Sequence, residues 1–345
     1  MLGQRRPLGT RVDSRKNINS VIDKNQNVKG ALVDKTQNLK NVSVDKPQNL
    51  KTGVGKAFTF EKPKPVTKTL VKKRTYGGRS CLVSEELAND IDNYLQYVEK
   101  LRRLEPDFLK NAQIDGRMRG ILLDWLMQIQ AKFGMLAETF YLATLILDRV
   151  IVAMEVTRQN FQLIGLVCIF IAAKFEEIMI PNVQDFIYLS GEFCTIEELF
   201  KAERDVLRAL KFHLTFTYPS HFMRKLRLLS PPGPEHAKCY EIAKILIDVA
   251  IIDYNTSTWL QSETSATAFY LSYEIAKHSC PKELLENVGV TTMDIVEKSK
   301  VLGARLAVYA DQQGKLQGLR LKYKDTDALD TIDKYITSLK TLNSQ

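Results

Sequence analysis

Four charged side chains lodged in apolar surroundings are the residues of this chain best placed to do chemistry: Arg119, Asp148, Lys174 and Glu203. Arg119 interrupts the apolar face of segment 117–133, and Asp148 ends the run Tyr141–Leu147. Lys174 closes a long apolar stretch, and Glu203 sits four residues from both Leu199 and Leu207. A charge in such a place costs free energy unless something pairs it. Spacing alone leaves two readings open. The four are internal ion pairs or solvated helix ends, or some of them point at a partner's backbone from the rim of an apolar surface. Neither reading makes or breaks bonds. His213, His221, His236 and His278 show no i, i+4 spacing and no cysteine at ligand distance. Cys81, Cys168, Cys194, Cys239 and Cys280 are scattered without a CxxC pair, as expected of reduced thiols in a cytosolic or nuclear compartment. No glycine-rich phosphate loop follows a strand, since Gly77-Gly78 is an isolated pair. The expectation is a binding protein without catalytic residues, metal or cofactor.

The elements that must position these charges read as helices. In 117–133 the apolar residues Met118, Ile121, Leu122, Trp125, Leu126, Ile129 and Phe133 recur at steps of three and four, one face of a helix. Segment 160–175 is apolar nearly all round, as a helix packed on every side must be. Thr195 with Glu198 spells a capping box, and Pro181-Asn182 opens another helix. Phe212–Thr217 is short and β-prone and ends at Pro219, which makes it a connector. Helices resume at about 219–229, 236–252, 262–277 and 291–310. The expected fold is all-α: two tandem bundles of about five helices each, residues 81–215 and 216–345. The longest apolar run, Leu163–Ala173, is far short of the ~20 residues a membrane helix needs, and residues 1–20 hold no apolar leader.

Charge locates the remaining boundary. Residues 1–80 hold 19 Lys+Arg against 5 Asp+Glu, net +14, whereas residues 81–345 hold 30 against 35, net −5. A basic tail on a mildly acidic body is not the pattern of a globular nucleic-acid binder. A unit of the form Asp-Lys-x-Gln-Asn-Val/Leu-Lys begins at Asp23, Asp34 and Asp45, an eleven-residue period. Eleven is a supercoil period, but the units offer too few apolar positions for a seam, so disorder is expected of residues 1–80.

Residues 118–126, from Met118 and Arg119 through Asp124-Trp125-Leu126, resemble the signature of the cyclin box, with Gly120 where alanine is usual. Lys174-Phe175-Glu176-Glu177 is similar to its second hallmark, and Asp148, Leu163 and Glu203 fall at its remaining signature positions. The resemblance spans roughly residues 87–310. Asp92–Glu105, Ile114–Arg117 and Ser220–Lys225, with the pair His221-Phe222, look most like mitotic B-type cyclins. A-type cyclins resemble the chain too, but usually carry an acid where Gln128 stands.

That resemblance implies a regulatory subunit that binds a cyclin-dependent protein kinase as a heterodimer and activates it at the G2/M transition. Lys174, Glu203 and Glu177 would belong to the kinase-facing set, with Ile171, Phe175, Leu207, Phe212 and Leu214 receiving an apolar side chain of the kinase's mobile helix. Arg119 and Asp148 would be a structural ion pair. Met118, Ile121, Leu122, Trp125, Gln128 and Gln162 look like a groove docking short basic-then-leucine motifs of substrates and inhibitors. Arg5 and Leu8 resemble a destruction box read by the mitotic ubiquitin ligase, although Asp13 stands where asparagine usually closes it. The implied location is cytoplasm and nucleus, with no direct nucleic-acid contact and no membrane insertion. A DNA-binding relative of the same helical repeat would favour a zinc ribbon and a basic body, which are absent from the sequence. A kinase-free scaffold would have no use for Lys174 with Glu203.

Overall fold

The computed structural model describes residues 74–76, 79–81, 85–281, 283–286, 288–311 and 317–343, all within one compact unit, Lys68–Gln345. The destruction-box residues Arg5 and Leu8, the eleven-residue repeats and the rest of the segment expected to be disordered, up to residue 73, lie outside the described residues.

The chain enters through two three-residue strands, β1 (Arg74–Tyr76) and β2 (Arg79–Cys81), paired antiparallel with Arg74 opposite Cys81. This hairpin departs from the disorder expected through residue 80, because three-residue strands are too short to show a sequence period; the bundles that follow are all-α, as expected. Helix α1 (Glu85–Leu101) follows. The first bundle is α2 (Gly116–Phe133), α3 (Ala137–Ala153), α4 (Phe161–Glu176), α5 (Val183–Ser190) and α6 (Ile196–Ala209). The second is α7 (Pro219–Leu229), α8 (Pro234–Ile252), α9 (Gln261–Ile275), α10 (Glu283–Glu286) and α11 (Thr292–Asp311). Two further helices, α12 (Gly318–Lys322) and α13 (Ala328–Asn343), complete the chain.

Local sequence sets these ends. Asp115 opens α2, its carboxylate accepting from Met118 N at 2.7 Å, and Gly134 closes it at φ +64°, a left-handed cap that favours glycine. Thr195 and Glu198 cap α6 reciprocally, as their spacing predicts. Helix α4 is the centre of the first bundle, buried from Phe161 to Ala173 except at Gln162 and Leu163. Phe212–Thr217 crosses between the bundles without becoming a strand.

The bundles are tied together by buried polar groups. Arg119 lies on α2 and Asp148 on α3, joined at 2.6 and 2.8 Å, and Arg119 Nη1 also donates to the carbonyls of Ile251 and Ile252 in α8, both at 3.0 Å. Asp124 of α2 accepts from Tyr309 Oη, Gln317 N and Gly318 N, so α12 is held directly on the first bundle. One turn further, Lys322 Nζ lies 2.7 Å from Asp248 Oδ2, an ion pair without hydrogen-bond geometry. The rings of Phe140, Tyr141 and Tyr323 surround that ammonium at 5.4 to 5.8 Å.

Candidate functional site

Helices α4 and α6 pack side by side in the first bundle. Lys174 leaves the last turn of α4 and forms an ion pair with Glu203 of α6, its ammonium 4.2 Å from the Phe170 ring centre. The lysine side chain is 37% exposed and the glutamate 13%, so the pair sits at a rim rather than inside the core. Among the apolar residues expected to receive the kinase side chain, exposure is graded. Ile171 is buried, Leu207 and Leu214 are half-buried, and Phe175 and Phe212 stand out at 53% and 68%. Phe212 is held there by backbone: Lys211 and Phe212 both take left-handed φ (51° and 58°), and Phe212 N bonds Leu207 O at 2.9 Å. Two consecutive non-glycine residues in that region store strain of order 1–3 kcal/mol each, the kind that clusters at functional sites.

Beyond Phe175 the exposed apolar ridge continues through Ile178, Met179 and Ile180. Sequence reasoning passed over these three. The available signal was an apolar triplet between two acids and a proline, too short for any period.

Glu177 departs from its expected place among the kinase-facing charges. Its carboxylate accepts from Leu136 N at 2.7 Å and Thr139 Oγ1 at 2.5 Å, which caps the start of α3. Glu176 likewise turns inward and accepts from Tyr218 Oη at 2.6 Å, and burial with that carboxylate pushes the phenol's pKa up.

The docking residues separate in the same way. On α2, Ile121 is exposed and Met118 and Trp125 are half-buried, with Trp125 tilted against Phe193 at 6.4 Å between centroids. Leu122, expected to line the groove, is core instead. It wedges against Gly165 of α4, where an added Cβ would sit 2.7 Å from its Cδ2. Gln128 spends its amide on Asp124 Oδ2 at 2.9 Å, and Gln162 is exposed. What remains is a shallow apolar shelf.

Among the described residues no group of three or more His, Cys, Asp or Glu could hold a metal ion, and no helix is long and apolar enough to cross a membrane. Burial raises the thiol pKa of Cys168 and pushes that of Cys239 up to about 11, away from nucleophilic use.

Two five-helix bundles in tandem define a class of two-repeat helical proteins. Family models agree: the cyclin N-terminal domain matches residues 90–215 and the cyclin C-terminal domain residues 217–335. The chain belongs to the cyclin family. Its relatives there are G2/mitotic-specific B-type cyclins. A human cyclin-B2 is 30% identical over 263 residues, 75% of this chain and 64% of the relative. A cyclin-B2 of Mesocricetus auratus is 36% identical over 190 residues, 55% of this chain and 47% of that one. A cyclin-B of Spisula solidissima is 32% identical over 246 residues, 71% and 56% respectively. The match thus spans less than two thirds of these relatives' length. A viral cyclin from herpesvirus saimiri has the same fold at a TM-score of 0.56, with 23% identity, covering 62% of this chain and 96% of that one.

Proposed function

We propose that this chain is the regulatory, non-catalytic subunit of a cyclin-dependent protein kinase, acting at the G2/M transition. The observation that carries the reading is the Lys174–Glu203 pair, solvent-touched and bordered by apolar side chains of graded burial. Such a rim suits the end of a helix: charges meet unsatisfied backbone groups while the buried floor at Ile171 takes an apolar anchor. A kinase alone lets its regulatory helix swing out, misplacing a glutamate that must pair with the ATP-orienting lysine. A subunit that binds only the assembled arrangement shifts the population toward it. Moving that equilibrium from 1:99 to 99:1 takes about 5.5 kcal/mol of differential affinity. One ion pair cannot supply this, whereas an extended interface of roughly 2,000 Å² can; the ridge Phe175, Ile178, Met179, Ile180 and Phe212 offers the apolar part of it.

The shelf at Met118, Ile121 and Trp125 is the docking place for short motifs of substrates and inhibitors. Burying two leucine-sized side chains there, less ordering costs, gives weak docking, about micromolar at best. Arg5 and Leu8 mark the chain for the mitotic ubiquitin ligase, and the complex works in cytoplasm and nucleus. The test is reconstitution. The chain, mixed with a purified cyclin-dependent kinase, should form a 1:1 complex and switch on phosphorylation of histone. A complex without activation, or no complex at all, would reject the assignment.

A further inference from the structure

Beside the strained turn at Lys211–Phe212 lies an open cleft of about 300 Å³ between the end of α1, the end of α3 and the chain leaving α6. Five basic side chains line it, Arg102, Arg103, Arg149, Lys211 and His213, and no acid lines the cleft itself; Glu99 and Asp148 line the adjoining cavity that shares Arg102, Arg103 and Arg149. None of the four permanent cations has a carboxylate within ion-pair distance among the described residues. Arg149 shows how this is achieved. Its guanidinium donates to the carbonyls of Leu145 and Arg102 and stacks 4.3 Å above the Phe216 ring, so it is fixed without being neutralised. Burial lowers its pKa to about 10, with Asp148 pulling the other way and Arg102 adding to the drop, which leaves it charged at neutral pH. Val152, 57% exposed, adds an apolar patch to the cationic wall.

We infer that this cleft receives an acidic surface segment of the kinase itself, and so sets the rate and the choice of kinase partner. The inference rests on the kinase reading above. Continuity supports it, because Lys211 and His213 flank Phe212, one of the residues proposed to meet the kinase. Other occupants fit worse. The chain's own residues 1–80 carry +14 and would be repelled. A nucleic acid would meet a body of net charge −5, and the one ring in the cleft, Phe216, is 7% exposed with a face already taken by Arg149. An extended anionic membrane would meet the same net-negative body. A short acidic segment feels the local field only, and uncompensated charges at an interface rim act mainly on the association rate.

The experiment measures association rates with the purified kinase from low to high salt. The comparison is between the parent chain and an Arg103→Ser/Lys211→Asn double variant. Both side chains are exposed, and asparagine tolerates the left-handed backbone at 211. The parent should associate about tenfold faster than the variant at low salt, the two converging at high salt where charges are screened. Dissociation rates should be nearly equal. A parent association rate independent of salt overturns the inference, and that measurement needs no variant. So does a variant with the parent's rate at low salt, or one whose loss is all in dissociation. No kinase complex at any salt would reject the kinase reading itself, which the Lys174/Glu203 comparison below tests separately.

Discussion

At the scale of single residues, the structure sorts charges by whom they serve. Arg119 and Asp148 are inaccessible and satisfy each other and two carbonyls of the second bundle, which is an architectural task. Lys174 and Glu203 are paired but wet. His221 belongs to the first kind. It stacks on Tyr218, and its Nδ1 accepts from Tyr218 N at 3.2 Å, which fixes the turn into the second bundle. Burial first, and then the neighbouring Arg224, hold its pKa below the ordinary 6.5, against the opposing pull of Glu138. The folded state therefore binds fewer protons at this site than the unfolded state. Its contribution to stability is full above about pH 6.5 and is lost as pH falls toward the lowered folded value. Thermal melts at pH 7.5 and 5.5 should show a larger loss for the parent than for His221→Gln. Equal losses would mean that this imidazole does not govern the junction. The residues that carried the resemblance, His221-Phe222 among them, were legible; the inward turn of Glu177 was not, because its partners lie some forty positions earlier in the chain.

At the scale of elements, the long helices were readable because apolar period and capping chemistry agree, as at α2 and α6. Short elements were not. The β1–β2 hairpin and the five-residue α12 have no period to read, and α12 owes its place to a distant carboxylate. The fate of Leu122 was equally hidden, since Leu122 and Ile121 look alike on a helical wheel and only Gly165, on another helix, decides which is buried. Helix α12 packs so closely on α2 that a Cβ at Gly318 would lie 2.5 Å from the backbone oxygen of Asp124. Backbone cannot yield as a side-chain tip can. Gly318→Ala should therefore destabilise the body by about 1–3 kcal/mol, the usual cost of overpacking, and loosen residues 317–343 first. Hydrogen exchange would show this as lost protection in α12 and α13 ahead of α8. A variant with the parent's melting temperature and exchange pattern would contradict the tight seating.

At the scale of the whole molecule, the two bundles are joined by Arg119, Asp124 and the Lys322–Asp248 pair into one body, so the proposed kinase-facing edge is already formed in the chain alone. In the proposed complex, such a preformed edge would bind with little ordering cost. The bundle count and the connector followed from sequence because buried helices and a proline-ended β-prone stretch punctuate it. The cationic cleft did not, since its five side chains come from three separate segments. The central claim is that the Lys174–Glu203 edge serves a partner while Arg119–Asp148 serves the fold. The most direct measurement pairs thermal melts with kinase titrations for Lys174→Ala/Glu203→Ala and for Arg119→Ala. The double variant should melt near the parent yet bind the kinase at least about 30-fold more weakly, because partner groups are left unpaired. Arg119→Ala, leaving Asp148 uncompensated, should lose roughly 3–5 kcal/mol of stability. A double variant that activates the kinase normally, or melts as low as Arg119→Ala, would contradict the account.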